Sequence, residues 1–203
     1  MTDKTTYTRI LESGKQEFLK KGFRDASLRT IVKNAGVTTG AFYGYFKGKR
    51  ELFEALVDEP VMYLKDRYEE HQKTFDESNP NEKTSAMEDY TTDHMMWYIK
   101  YIYEHFDAFK LIINDCEGSG YEDYIDQLME IEYKYTMRFF ESMKDVGKPV
   151  QEADTKLMNS MNYAFFHALF EIVRRDMTQE EAEVYTRDLS RFFYAGWKEI
   201  MGL

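Results

Sequence analysis

Cysteine is almost missing from this chain: Cys116 stands alone, so no disulfide can close within it. Proline is nearly as scarce, with three in 203 residues, and glycine numbers only eleven, which leaves few places where a helix must break. Long apolar runs are also lacking. The longest, YAFFHALFEIV at 163–173, is too short to span a bilayer and contains His167 and Glu171. The opening MTDKTTYTRI has no apolar signal-peptide core, so no membrane span and a cytoplasmic location are expected. No phosphate loop, G-x-S-x-G or zinc-protease motif occurs, and an enzyme is not expected. His94 and His105 lie eleven residues apart, which matches neither a His pair at i, i+4 nor Glu-x-x-His. No metal and no cofactor are expected.

What is present is an uneven charge. Residues 1–53 hold eleven Lys or Arg against five Asp or Glu, whereas the remainder holds sixteen against thirty-two. A basic head on an acidic body is the asymmetry expected when only the head meets phosphate, although clustering of solvated charge would look the same. Hydrophobic residues make up 43% and charged residues 32%, within the range of a folded chain that buries a core.

Nearly every segment repeats its apolar residues at the helical period, so the fold class is all-α, with about nine helices. Tyr7, Ile10, Leu11, Gly14 and Phe18 form one face of a first helix, and Gly22 is placed to end it in the left-handed conformation. Ser27 can cap a second helix with Leu28, Ile31, Val32 and Ala35 inward. Gly36 turns the chain, and Thr38 caps a third helix over 38–45 that buries Phe42 and Phe46 together with Val37. A long fourth helix starts near Lys49 and contains Pro60, which predicts a kink. DESNPNEKT at 76–84 reads as a loop. Further helices are expected at about 85–105, 106–116, 121–146, 151–175 and 179–201, separated by Gly118-Ser119-Gly120, Gly147-Lys148-Pro149 and a capping box from Thr178 to Glu181.

Two short helices joined by a glycine-containing turn make a helix-turn-helix, whose second helix enters the DNA major groove. On that reading Thr38, Thr39, Gly40, Tyr43 and Tyr45 stay on faces that can reach DNA. Lys47 and Lys49 sit where a phosphate strand would pass.

The stretch GFRDASLRTIVKNAGVTTGAFYGYFKGKRELF at 22–53 resembles the DNA-binding segment of the TetR family of bacterial transcriptional regulators. The likeness rests on Gly22-Phe23, Ser27, Ile31, Ala35-Gly36-Val37, Gly40, Tyr43, Phe46, Lys49 and Leu52, about a sixth of the chain. It implies DNA contacts from Ser27, Arg29, Thr38, Thr39, Tyr43, Tyr45 and Lys49. Tyr45 stands where histidine is common, Gly44 where a bulkier aromatic is usual, and Gly48 where a capping polar residue is frequent, which leaves the operator sequence open. The resemblance also implies a head at 1–50 and a ligand-binding and dimerisation body at 51–203. Such a protein binds a palindromic double-stranded operator as a homodimer, as a repressor released by a small molecule. An all-α enzyme, or a helical dimer that binds no DNA, is the rival reading.

In such a body the last two helices pair with a second copy. Met161, Ala164, Phe165 and Ala168 on one, with Leu189, Phe192, Phe193 and Gly196 on the other, are the candidate interface, unless these stripes face the subunit's own core. Residues 85–145 hold thirteen aromatics, and fourteen acidic residues against five basic ones. Trp97, Tyr98, Tyr101 and Phe109 could line a cavity, with His94 and His105 on the helical face of Tyr98 and Tyr101; equally, the aromatics could fill a core while the acids solvate its outside. An aromatic box with carboxylates suits a flat aromatic or cationic inducer better than an acyl-CoA, whose phosphates want a basic mouth.

Overall fold

The computed structural model describes residues 4–114, 116–148, 150–151 and 154–202. Pro149 and residues 152–153, inside the helix expected over 151–175, lie outside the described residues, as does residue 115 near the end of the helix expected over 106–116. Every regular element among the described residues is helical: α1 (Lys4–Asp25), α2 (Leu28–Asn34), α3 (Thr39–Tyr43), α4 (Lys49–Asp76), α5 (Lys83–Glu104), α6 (Phe106–Asn114), α7 (Tyr124–Asp145), α8 (Thr155–Leu169), α9 (Glu171–Arg174) and α10 (Gln179–Met201).

The chain forms two compact units. One takes Met1–Tyr63 with His105–Tyr124, and the other takes Leu64–Glu104 with Ile125–Leu203. The first unit is built on aromatic packing. Phe18, Phe23 and Phe53 meet at 5.1–5.9 Å between ring centroids, and Gly14 lets α1 close on α4, since a Cβ there would come within 2.7 Å of Leu52 Cδ2. The loop after α6 is tied into the same unit. The Arg50 guanidinium donates to the carbonyls of Ser119 and Gly118 at 3.1 and 2.9 Å, and the Tyr121 hydroxyl donates to Asp58 at 2.8 Å.

Local chemistry fixes the short helices. The Ser27 hydroxyl accepts from the Thr30 N–H, the Thr38 hydroxyl from the Ala41 N–H, and Thr178 with Glu181 forms the expected reciprocal box. Gly36 takes φ 64° between α2 and α3. Three expectations differ in detail. Gly22 has the positive φ of 71°, but its ψ of 169° is extended rather than left-handed helical, and a last helical turn resumes to Asp25. The helix expected over 151–175 is interrupted at Phe170, a turn residue at φ −76° and ψ 0° that closes α8 and precedes α9. Finally, α3 ends at Tyr43, because Gly44 closes it with tight bonds back to Gly40 and Ala41.

Candidate functional site

The helix-turn-helix presents one buried and one open side. Phe42 is fully buried and Phe46 nearly so, whereas Thr39, Gly40 and Tyr43 are exposed, Tyr43 at 55%. Val37 is half-buried. Arg29 at the start of α2 and Lys47 just past α3 are exposed as well. Thr38 spends its hydroxyl on the cap of α3 at 3.1 Å, and Ser27 spends its own on α2. Tyr45 lies in the turn after α3, its ring tilted against Tyr7 at 6.0 Å. Lys49 behaves differently from Arg29 and Lys47. Its ammonium donates to the carbonyls of Arg24 at 2.8 Å and Ala26 at 3.3 Å and sits 4.7 Å over the Phe23 ring, and burial lowers its pKa.

The second unit contains a cavity of about 190 Å³. Its wall is written in helical steps. On α5 the lining residues are Met87, Tyr90, Thr91, His94, Met95 and Tyr98, spaced by three and one, and α4 supplies Tyr68, His71, Gln72 and Phe75 in the same way. Helix α7 adds Glu132, Tyr135, Thr136 and Phe139, while Phe165 of α8 and Phe193, Tyr194 and Trp197 of α10 close the far side.

Polar groups are set into this aromatic lining. Glu132 accepts from the Tyr68 hydroxyl, from Gln72 Nε2 at 2.5 Å, and from Thr136; burial raises its pKa, and these bonds oppose the rise. His71 Nε2 faces an Arg67 guanidinium N–H at 3.3 Å, which can only donate. The proton therefore sits on Nδ1, directed at the Tyr98 hydroxyl oxygen 2.6 Å away. Burial, reinforced by His94 and Arg67, pushes His71 down to about 4 and keeps it neutral. His94 turns its Nδ1–H to the Tyr90 carbonyl at 2.7 Å, with its ring 3.9 Å from that of His71. At another part of the wall Lys83, 1% exposed, donates to the Asp76 carbonyl at 2.6 Å and lies 3.9 Å from the Asp76 carboxylate, which also pairs with Arg138 at 2.6 Å.

Residues 10–56 match the family model described as bacterial regulatory proteins, tetR family. The chain shares this likeness to the TetR family over 47 of its 203 residues. It is 42% identical over 53 residues to the HTH-type transcriptional regulator TtgR of Pseudomonas putida, covering 26% of this chain and 25% of that one. It is 32% identical over 101 residues to the probable HTH-type transcriptional regulator YttP of Bacillus subtilis, covering 50% and 45%. The chain thus spans less than half the length of the curated relatives it matches. In fold it is similar to the transcriptional regulator FadR of Bacillus subtilis, solved in complex with stearoyl-CoA, with a TM-score of 0.57 at 13% identity over 94% of this chain and 98% of that one.

The expected site residues separate into exposed and engaged groups. In the head, Arg29, Thr39, Gly40, Tyr43 and Lys47 are exposed, whereas Ser27, Thr38 and Lys49 have their polar groups engaged within the fold. Of the six cavity candidates, His94 and Tyr98 are on the wall. Trp97 and Tyr101 are not part of the wall; they stack on each other at 5.4 Å, with Arg67 over Trp97 at 5.6 Å. Phe109 is buried and His105 exposed, both in the first unit, because α5 ends at Glu104 before its face reaches them. Among the interface candidates Phe192 is 73% exposed and Gly196 opens on empty space, while Met161, Ala164, Ala168 and Leu189 are half-buried. Phe165 and Phe193 instead meet edge to face at 5.2 Å on the cavity wall. The sequence reading missed His71, Gln72 and Glu132. The signal available for His71 and Gln72 was the stripe Tyr68, His71, Gln72, Phe75 at helical spacing, which places polar groups where a plain core stripe would be apolar.

Proposed function

We infer that this chain is a ligand-responsive DNA-binding transcriptional regulator, a repressor that binds a palindromic operator as a homodimer in the cytoplasm and is released by a small molecule. The observation that carries the reading is α3, which buries Phe42 completely and offers Thr39, Gly40 and Tyr43 outward beside exposed Arg29 and Lys47, inside the segment that matches the family. A recognition helix needs these two sides, one seated on its scaffold and one free to meet base edges and phosphates.

Reading a two-fold operator takes two such heads, about 34–36 Å apart in successive major grooves. The exposed apolar residues of α8 and α10, with Phe192 and Leu157 among them, support pairing with a second copy. We assign the DNA head to residues 1–50 and ligand binding and dimerisation to 51–203. An aromatic or cationic effector in the cavity releases DNA only through a difference in its affinity for the two spacings of the heads. Helix α4, which runs from Lys49 to the cavity residue Phe75, supports a role as the connecting lever.

Selection of bound duplexes from a random library tests the reading. Wild-type protein should enrich a palindrome with half-sites about 10 base pairs apart, and a Tyr43→Ala, Arg29→Ala variant should not. A folded, dimeric wild type that enriches no sequence at any salt concentration would refute it.

A further inference from the structure

We propose that Glu132 makes the cavity selective for singly charged organic cations, accepting an aromatic or alkyl ammonium with its carboxylate as the counter-charge. This rests on the reading of the cavity as the effector site. Carboxylates are seldom buried without a cation. Glu132 is held by three neutral donors, Tyr68, Gln72 and Thr136, and no lysine, arginine or charged histidine takes part in those bonds. Three donors on one carboxylate orient it and moderate its desolvation, but they do not neutralise it. A ligand cation would.

The charged and titratable groups around the cavity point the same way. On α4, His71 is neutral near pH 7 and Asp76 is already paired with Lys83 of α5 and with Arg138 of α7. On α5, His94 keeps Nδ1–H on a carbonyl. Tyr68, Tyr90, Tyr98, Tyr135 and Tyr194 supply uncharged aromatic faces and hydroxyls. Lys83 is therefore not free to receive an anion, and among the described residues Glu132 is the one wall carboxylate whose hydrogen-bond partners include no cation. Aromatic rings add cation–π attraction, which grows when the cation is desolvated.

The test uses two probes of one shape: benzyltrimethylammonium and its neutral carbon isostere, neopentylbenzene. Binding is followed by the fluorescence of Trp197 on the cavity wall, with Trp97→Phe as background, for the full-length dimer and for Glu132→Gln. The cation should bind at least tenfold more tightly than the isostere. Glu132→Gln should remove most of that preference while leaving neopentylbenzene unchanged. Because burial raises the Glu132 pKa, the cation's affinity should also climb with pH until the carboxyl is fully ionised, and this needs no variant; in Glu132→Gln that rise should be lost. Equal affinity for the two probes, unmoved by Glu132→Gln and flat with pH, would overturn the charge selection and leave the effector site standing. Binding of neither probe would overturn the effector site and the selection with it.

Discussion

Replacing Lys49 by methionine separates two roles that the same residue could play. A lysine at the start of α4 beside a recognition helix would ordinarily be assigned to a phosphate. Here its ammonium already donates to two carbonyls, at 2.8 and 3.3 Å, where α1 ends and the chain turns into α2, and it covers the Phe23 ring. A hydrogen bond from a charged donor contributes about 1.5 kcal/mol, the longer one roughly half as much. The cation–π contact adds about 0.5 kcal/mol at an exposed site. Lys49 is only half-buried, so solvent recovers part of this, and methionine keeps the packing of the stem. The net loss should be about 1–2 kcal/mol, or a fall of roughly 3–6 °C in the melting midpoint. Urea unfolding followed by circular dichroism measures it, alongside the salt dependence of operator binding. The structural role requires lower stability with an unchanged salt slope. A normal midpoint with a slope reduced by about 0.9 for each head, about 1.8 for a dimer, would show instead that Lys49 serves a phosphate, and would refute the reasoning.

His71 makes stability depend on pH. Its folded pKa of about 4 lies below the ordinary 6.5, so on acidification the unfolded chain takes up a proton that the folded chain refuses. Stability should be constant above pH 6.5 and decline as pH falls toward 4, and His71→Gln should lose less between pH 7.5 and 5 in thermal melts. Thr186 is fully buried on α10 with no partner for its hydroxyl among the described residues, so Thr186→Val should raise stability by about 1 kcal/mol in urea titrations; a loss would mean that the hydroxyl is satisfied. Phe192, 73% exposed on α10, should contribute to subunit pairing, so Phe192→Asp should shift the protein toward monomer in sedimentation without unfolding it.

Sequence alone determined the elements and the head. Helical periodicity, with almost no proline to interrupt it, specified an all-α chain, and the hydroxyl of Thr38, the glycine at 36 and the phenylalanines at 42 and 46 specified the cap, the turn and the buried side of α3. These are local effects, set within one or two helical turns. Only the tertiary structure decided what meets across helices. Which of the neighbours His94, Trp97, Tyr98 and Tyr101 faces the cavity depends on the rotation of α5, and one residue along a helix turns a side chain by about 100°. Glu132 and Tyr68 are 64 residues apart, and nothing in their own segments marks them as partners. Lys49 looks like any surface lysine until α1 brings two carbonyls to it. Periodicity fixes that a face is buried, whereas the partner of each polar group on that face is fixed by packing between segments distant in sequence.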